Sequence, residues 1–91
     1  MADQNAIAAA IEKRIAGYGS YANWTVGISN DWARRKNEHS NDGKNVACWS
    51  CWQAVSLADA QAIERHFIYK GMKGGVGGAT EANKAVFVYV F

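Results

Sequence analysis

Three side chains have the type and spacing to handle a phosphate group: Arg35 and His39, one helical turn apart in "SNDWARRKNEH", and Glu64 within "ADAQAIERHFIYK". A guanidinium can grip two phosphate oxygens at once, and an imidazole one turn further along can hold or release a proton. With Trp32 at zero and about 100° per residue, Arg35 falls at about 300°, His39 at about 340° and Lys36 at about 40°. Arg34 and Glu38, at about 200° and 240°, form a solvated pair on the other side. Arg35 and His39 therefore share a face with an aromatic ring, although an ordinary amphipathic surface of Arg, Lys and Trp has the same make-up.

Glu64 is the more unusual position. On its own helix, with Glu64 at zero, Leu57 lies at about 20°, Ile68 at about 40°, Ala60 at about 320°, Phe67 at about 300° and Ile63 at about 260°. This arithmetic puts a carboxylate in the middle of an apolar face. Burial of an unpaired carboxylate is costly, so Glu64 is expected to be paired with an arginine, protonated, or open to a cleft that admits a cation.

The elements that must position these groups follow from hydrophobic periodicity and capping residues. Residues 3 to 16 read as a helix with Ile7, Ile11 and Ile15 on one stripe and "GYG" as its stop. Residues 24 to 28 read as a strand, with Trp24, Val26 and Ile28 on one face and Thr25 and Gly27 on the other. "SND" caps a short helix from Trp32 to about His39, and residues 46 to 55 read as a second, aromatic strand. "SLAD" is a capping box for a helix that runs to Lys70 and stops at Gly71. "GMKGGVGG", residues 71 to 78, reads as a flexible glycine loop, and "AVFVYVF", residues 85 to 91, as the last strand. The order predicts an α+β fold: one domain over residues 1 to 91, with a small three-stranded sheet packed with three helices.

Composition narrows the function classes. With 91 residues, 49% hydrophobic and 20% charged, the chain has the make-up of one globular domain. A net charge of +2 argues against bulk electrostatic attraction to nucleic acid, so any basic site must be local. Neither a basic leader nor a long apolar run occurs, and a soluble, cytoplasmic protein without membrane association is expected.

Cys48 and Cys51 resemble a CxxC pair, but three residues apart on a strand they point to opposite faces, and there is no second pair; free, reduced thiols are expected. The glycine-rich stretch lacks the phosphate-loop pattern GxxxxGK[ST]. Lys70, Lys73 and the amides of residues 74 to 78 form a weak anion-site candidate.

The stretch "TVGISNDWARRKNEH", residues 25 to 39, followed by "ADAQAIERHFIYK", residues 58 to 70, resembles the GIY-YIG nuclease superfamily. Thr25-Val26-Gly27 echoes its second motif strand, "DWARRKNEH" the following helix, and the AxxxE pattern ending at Glu64 its metal-bearing helix. The resemblance spans about residues 24 to 70 and implies a GIY-YIG-like core. It further implies that Arg35 binds the scissile phosphate, Glu64 holds Mg²⁺ or Mn²⁺, and motif tyrosines assist proton transfer, with His39 as a helper.

Thr25 stands where the second motif has tyrosine, and no GIY-like strand precedes it. The last strand, with Tyr89 at its centre, is expected to take the place of the missing strand, as in a circular permutation, and to present Tyr89 to the cleft. Thr25, Gly27, Trp32, Lys36 and Lys73 are expected to surround the ligand.

Three functions are in view. The first is nucleic-acid binding with metal-dependent phosphodiester hydrolysis. The second is binding or sequestering of a nucleic acid or small nucleotide without cleavage. The third is an interaction module, homodimeric or with another partner, built on Trp32, Trp49 and Trp52.

Overall fold

Asp3 accepts a hydrogen bond from the Ala6 amide at 2.7 Å and so caps helix α1, Gln4–Ile15, whose buried stripe is Ile7, Ile11 and Ile15. A computed structural model describes the chain over residues 3–17, 19–43, 46, 49–74 and 85–91. After a 3-10 turn at Tyr21–Asn23 come strand β1, Thr25–Ser29, helix α2, Trp32–Asn41, strand β2, Ser50–Ala54, helix α3, Leu57–Tyr69, strand β3, Lys73–Gly74, and strand β4, Val86–Val90. Asp31 caps α2 by accepting from the Arg34 amide at 3.1 Å, and Ser56 caps α3 by accepting from the Asp59 amide at 3.1 Å.

The protein is therefore mixed α+β, as the sequence predicts, but its sheet has four strands in the order β2-β4-β1-β3. The three-strand expectation fails at β3, which lies inside the stretch read as a glycine loop. The end of α3 explains why. The Gly71 amide bonds the Ile68 carbonyl, the Met72 amide bonds the Phe67 carbonyl, both at 3.0 Å, and Gly71 has φ 119°. This Schellman turn seats buried Met72 against buried Phe67 and sends the chain straight back along β1, where the Lys73 amide bonds the Trp24 carbonyl at 3.0 Å. Residues 75 to 78 of the predicted loop lie outside the described residues.

The second strand is also shorter than predicted. The Trp49 amide bonds the Val46 carbonyl at 3.1 Å, which makes a turn ahead of β2. Cys48 lies outside the described residues, and Cys51 is a free thiol on β2.

β4 pairs antiparallel with both β1 and β2, while β1 and β3 run parallel through Thr25↔Lys73 and Val26↔Gly74. Register assigns the two faces. Val26, Ile28, Val86, Val88, Val90 and Ala54 turn to one side, where they meet the isoleucines of α1 and Ala60, Ile63 and Phe67 of α3. Gly27, Cys51, Gln53, Phe87 and Tyr89 turn to the other, under α2. Tyr21 donates to Glu12 at 2.9 Å, and Lys70 Nζ lies 3.4 Å from the same carboxylate, so α1, the 3-10 turn and the end of α3 are clasped together. No helix among the described residues is long and apolar enough to cross a membrane.

Candidate functional site

Residues from both ends of the sequence meet on the α2 face. Pairing of β1 with β4 sets Tyr89 directly across from Gly27, and the tyrosine ring lies over that glycine. A Cβ at position 27 would overlap the Tyr89 hydroxyl, far inside van der Waals contact, so glycine is required here for space. Gly27, expected as a ligand contact, makes room for Tyr89.

The phenol ends 3.1 Å from His39 Nε2, a buried hydrogen bond between β4 and α2. His39 is itself nearly fully buried, its ring 4.7 Å from that of Phe91 and 6.2 Å from that of Trp49. Trp49 stacks on Tyr89 at 4.4 Å and on Phe91 at 5.3 Å, closing an aromatic cluster around the polar pair.

Arg35 stands one turn before His39 on α2, its side chain only 15% exposed. Its Nη1 pairs with Glu38 at 2.9 Å, while Arg34 reaches the same carboxylate at 3.8 Å. Glu38 is therefore shared, and the simple Arg34 to Glu38 pair expected from helix geometry is the longer of its two contacts. Arg35 Nε is buried with no hydrogen-bond acceptor in reach among the described residues. A cleft of about 330 Å³ opens beside these groups, lined by Arg35, Glu38, His39, Asn41 and Asp42.

Electrostatics are uneven across the site. Burial pushes the Tyr89 phenol up to about 12; the Arg35 charge opposes this, and the charges of Glu64 and Glu38 add to it. Burial also raises the Glu64 carboxyl above the usual carboxylate range, against the pull of Arg65. Cys51, opposite Tyr89 in register, is raised by burial, while Trp49 and the charge of Lys36 pull it down.

Of the residues singled out from sequence, Arg35, His39 and Tyr89 come together. Glu64 belongs to α3 in the opposite layer, close enough for its charge to act on the phenol. Its predicted place in the middle of the apolar face is corrected: the buried residues of α3 are Ala60, Ile63 and Phe67, and Glu64 is half-buried at their edge. α3 packs on both the sheet and α1, and that double contact turns it away from the orientation its apolar residues suggest alone.

Thr25 is buried, its backbone bonded to Phe91 in both directions. Trp32, Lys36 and Lys73 are not among the residues lining the cleft; Trp32 is 38% exposed at the start of α2, and Lys73 is exposed on β3. Of the three tryptophans expected to form an interaction surface, Trp32 is exposed, while Trp49, which stacks on Tyr89, and Trp52, which packs against the core, are partly buried. Trp49, which the sequence reading placed in a strand and offered only to an interaction surface, closes the site cluster. The aromatic alternation Phe87, Tyr89, Phe91, which demands a covering partner, is the signal that could have found it.

Among the described residues, no group of three or more His, Cys, Asp or Glu side chains is placed to hold a metal ion. Comparison of the chain with protein-family models, with curated proteins and with solved structures finds no match.

Proposed function

We propose that this domain is a diverged GIY-YIG-like protein that binds the phosphate backbone of nucleic acid at the α2 cleft, with metal-dependent phosphodiester hydrolysis as its activity. One observation carries this reading: Tyr89, from the last strand, lies across Gly27 of the "TVG" strand and is hydrogen-bonded to His39 beside Arg35. A tyrosine from a distant strand thereby stands next to the arginine and histidine that the resemblance singles out.

In this reading Arg35 exchanges Glu38 for a phosphate, whose oxygens suit its planar fork. Tyr89, with its phenol near 12, stays protonated at neutral pH and shares its hydrogen bond with His39, the helper that the resemblance suggests beside Arg35. Glu64 is the residue that would hold Mg²⁺ or Mn²⁺. Among the described residues no further His, Cys, Asp or Glu side chains join it to make a group of three, so the rest of the donor set would have to come from water and ligand. A metal bound there would lie in the layer opposite Arg35, and the charge stabilisation it would supply is what the Glu64→Gln comparison below tests.

A second reading, binding without cleavage, is favoured by the complete burial of Tyr89, which keeps its phenol from a reacting group. The two separate in one experiment: labelled single- and double-stranded DNA and RNA, incubated with Mg²⁺ or Mn²⁺ and the protein or its Glu64→Gln variant. Cleavage by the unaltered protein that Glu64→Gln abolishes supports hydrolysis. Metal-independent binding lost on Arg35→Ala, with no cleavage, supports the second reading; no binding at all rejects both.

A further inference from the structure

We propose that the outer edge of β2 is the interface of a symmetric homodimer, in which β2 of one copy pairs antiparallel with β2 of a second copy about a twofold axis at Trp52. The proposal is independent of the function proposed above.

Backbone parity fixes which groups face that edge. Thr25 and Phe91 exchange both of their backbone hydrogen bonds, at 2.7 and 3.0 Å, and so form a doubly bonded pair at the end of the ladder between β1 and β4. Such pairs alternate along an antiparallel ladder, so Tyr89 and Phe87 also bond β1, while Val90, Val88 and Val86 turn their amides and carbonyls to β2. Their partners there are Ser50, Trp52 and Ala54. The amides and carbonyls of Cys51 and Gln53 therefore point away from β4, to a side on which no further strand joins the sheet among the described residues. Neither residue makes a backbone hydrogen bond to another element there.

The two edges of the sheet are built differently. β3 is two residues long and carries exposed Lys73, a short and charged edge of the kind that keeps sheets apart. β2 is five residues long, holds an unbroken register with β4 and contains no Lys, Arg, Asp, Glu or Pro. An unguarded edge accepts a strand, and this one fits itself. About a twofold axis at Trp52, Cys51 of each copy lies opposite Gln53 of the other as a doubly bonded pair, so every outward amide and carbonyl of both residues finds a partner. Trp52, half-buried in one copy, meets its own counterpart at the intervening position, where side chains approach most closely and no like charges oppose. Because Cys51 and Gln53 share the side of the sheet that carries α2, the axis places the α2 clefts of both copies on one side of the joined sheet.

The test is sedimentation equilibrium of the full chain in reductant, from micromolar to millimolar concentration, with amide hydrogen exchange at both ends of the range. The mass should rise from that of one chain to that of two. Exchange at Cys51 and Gln53 should slow at least about tenfold as the dimer forms, while Trp52 and Ala54, bonded to β4, stay protected throughout. Gln53→Pro, which removes only an outward amide, should keep the circular dichroism of the unaltered protein and weaken the dimer by roughly tenfold or more. A chain that stays monomeric across the range overturns the proposal, and so does a dimer in which the Cys51 and Gln53 amides still exchange freely. A folded Gln53→Pro variant that dimerises as well as the unaltered protein overturns it too.

Discussion

The two faces of the sheet are built from different chemistry on the same strands. Towards α1 and α3 the strands present valine, isoleucine and alanine, and the helices answer with Ile7, Ile11, Ile63 and Phe67, all nearly inaccessible to water. Towards α2 they present Gly27, Ser29, Cys51 and Tyr89, answered by His39 and Trp49. Aliphatic packing is non-directional and holds the fold. The α2 face depends on the His39–Tyr89 hydrogen bond, stacked rings and a shared carboxylate, each with a required geometry.

This contrast is broken most severely by Phe67→Ala, which should cost about 3–5 kcal/mol in urea unfolding followed by tryptophan fluorescence. A comparable loss from His39→Ala would mean that the two faces do not divide the labour as described. Next comes Gly27→Ala, expected to cost about 1–3 kcal/mol because the new methyl meets the Tyr89 hydroxyl. In a Tyr89→Ala background the same change should be nearly neutral, and an undiminished cost there would show that the clash is not with Tyr89.

Tyr89→Phe should cost about 1 kcal/mol, the net worth of its hydrogen bond to His39. The same variant sharpens the comparison through pH. With the folded phenol at about 12 and an unfolded one near 10, the unfolded state loses its proton first, so stability falls as pH rises from about 10 to 12. An absorbance titration of the four tyrosines should show one late step that Tyr89→Phe removes; four unshifted titrations would contradict the burial of the phenol in solution.

Glu64→Gln is the smallest effect and has the opposite sign. Its carboxyl is raised in the folded state, so the fold favours the neutral form, and a penalty develops as pH rises through the ordinary carboxylate range. The glutamine variant should be slightly more stable at neutral pH, with the difference vanishing in acid. A destabilised variant at neutral pH would show that Glu64 has a structural partner.

Much of the fold was legible because its signals are local. Isoleucines every fourth residue specify the buried stripe of α1, Asp31 and Ser56 supply caps, and strict alternation in "TVGIS" and "VFVYV" assigns each side chain to a face. The pairing of Arg35 with His39 on one face of α2 was legible for the same reason. β3 was not, since two residues carry no period, and its formation depends on the Schellman turn at Gly71 aiming the chain along β1. Nor was the rotation of α3: Leu57 and Ile68 count as apolar in the arithmetic, yet the helix buries Ala60, Ile63 and Phe67 because the sheet and α1 both press on that side.

Sequence by itself determined the three helices, their caps, the parity of the main strands and the one-turn spacing of Arg35 and His39, all consequences of backbone geometry within a few residues. Only the tertiary structure decided that Tyr89 faces Gly27 and reaches His39, that Glu38 holds Arg35, and that Trp49 closes the cluster. Strand order and register bring together positions sixty residues apart, and they emerge from packing both faces of the sheet at once, a condition that no local window of the chain contains.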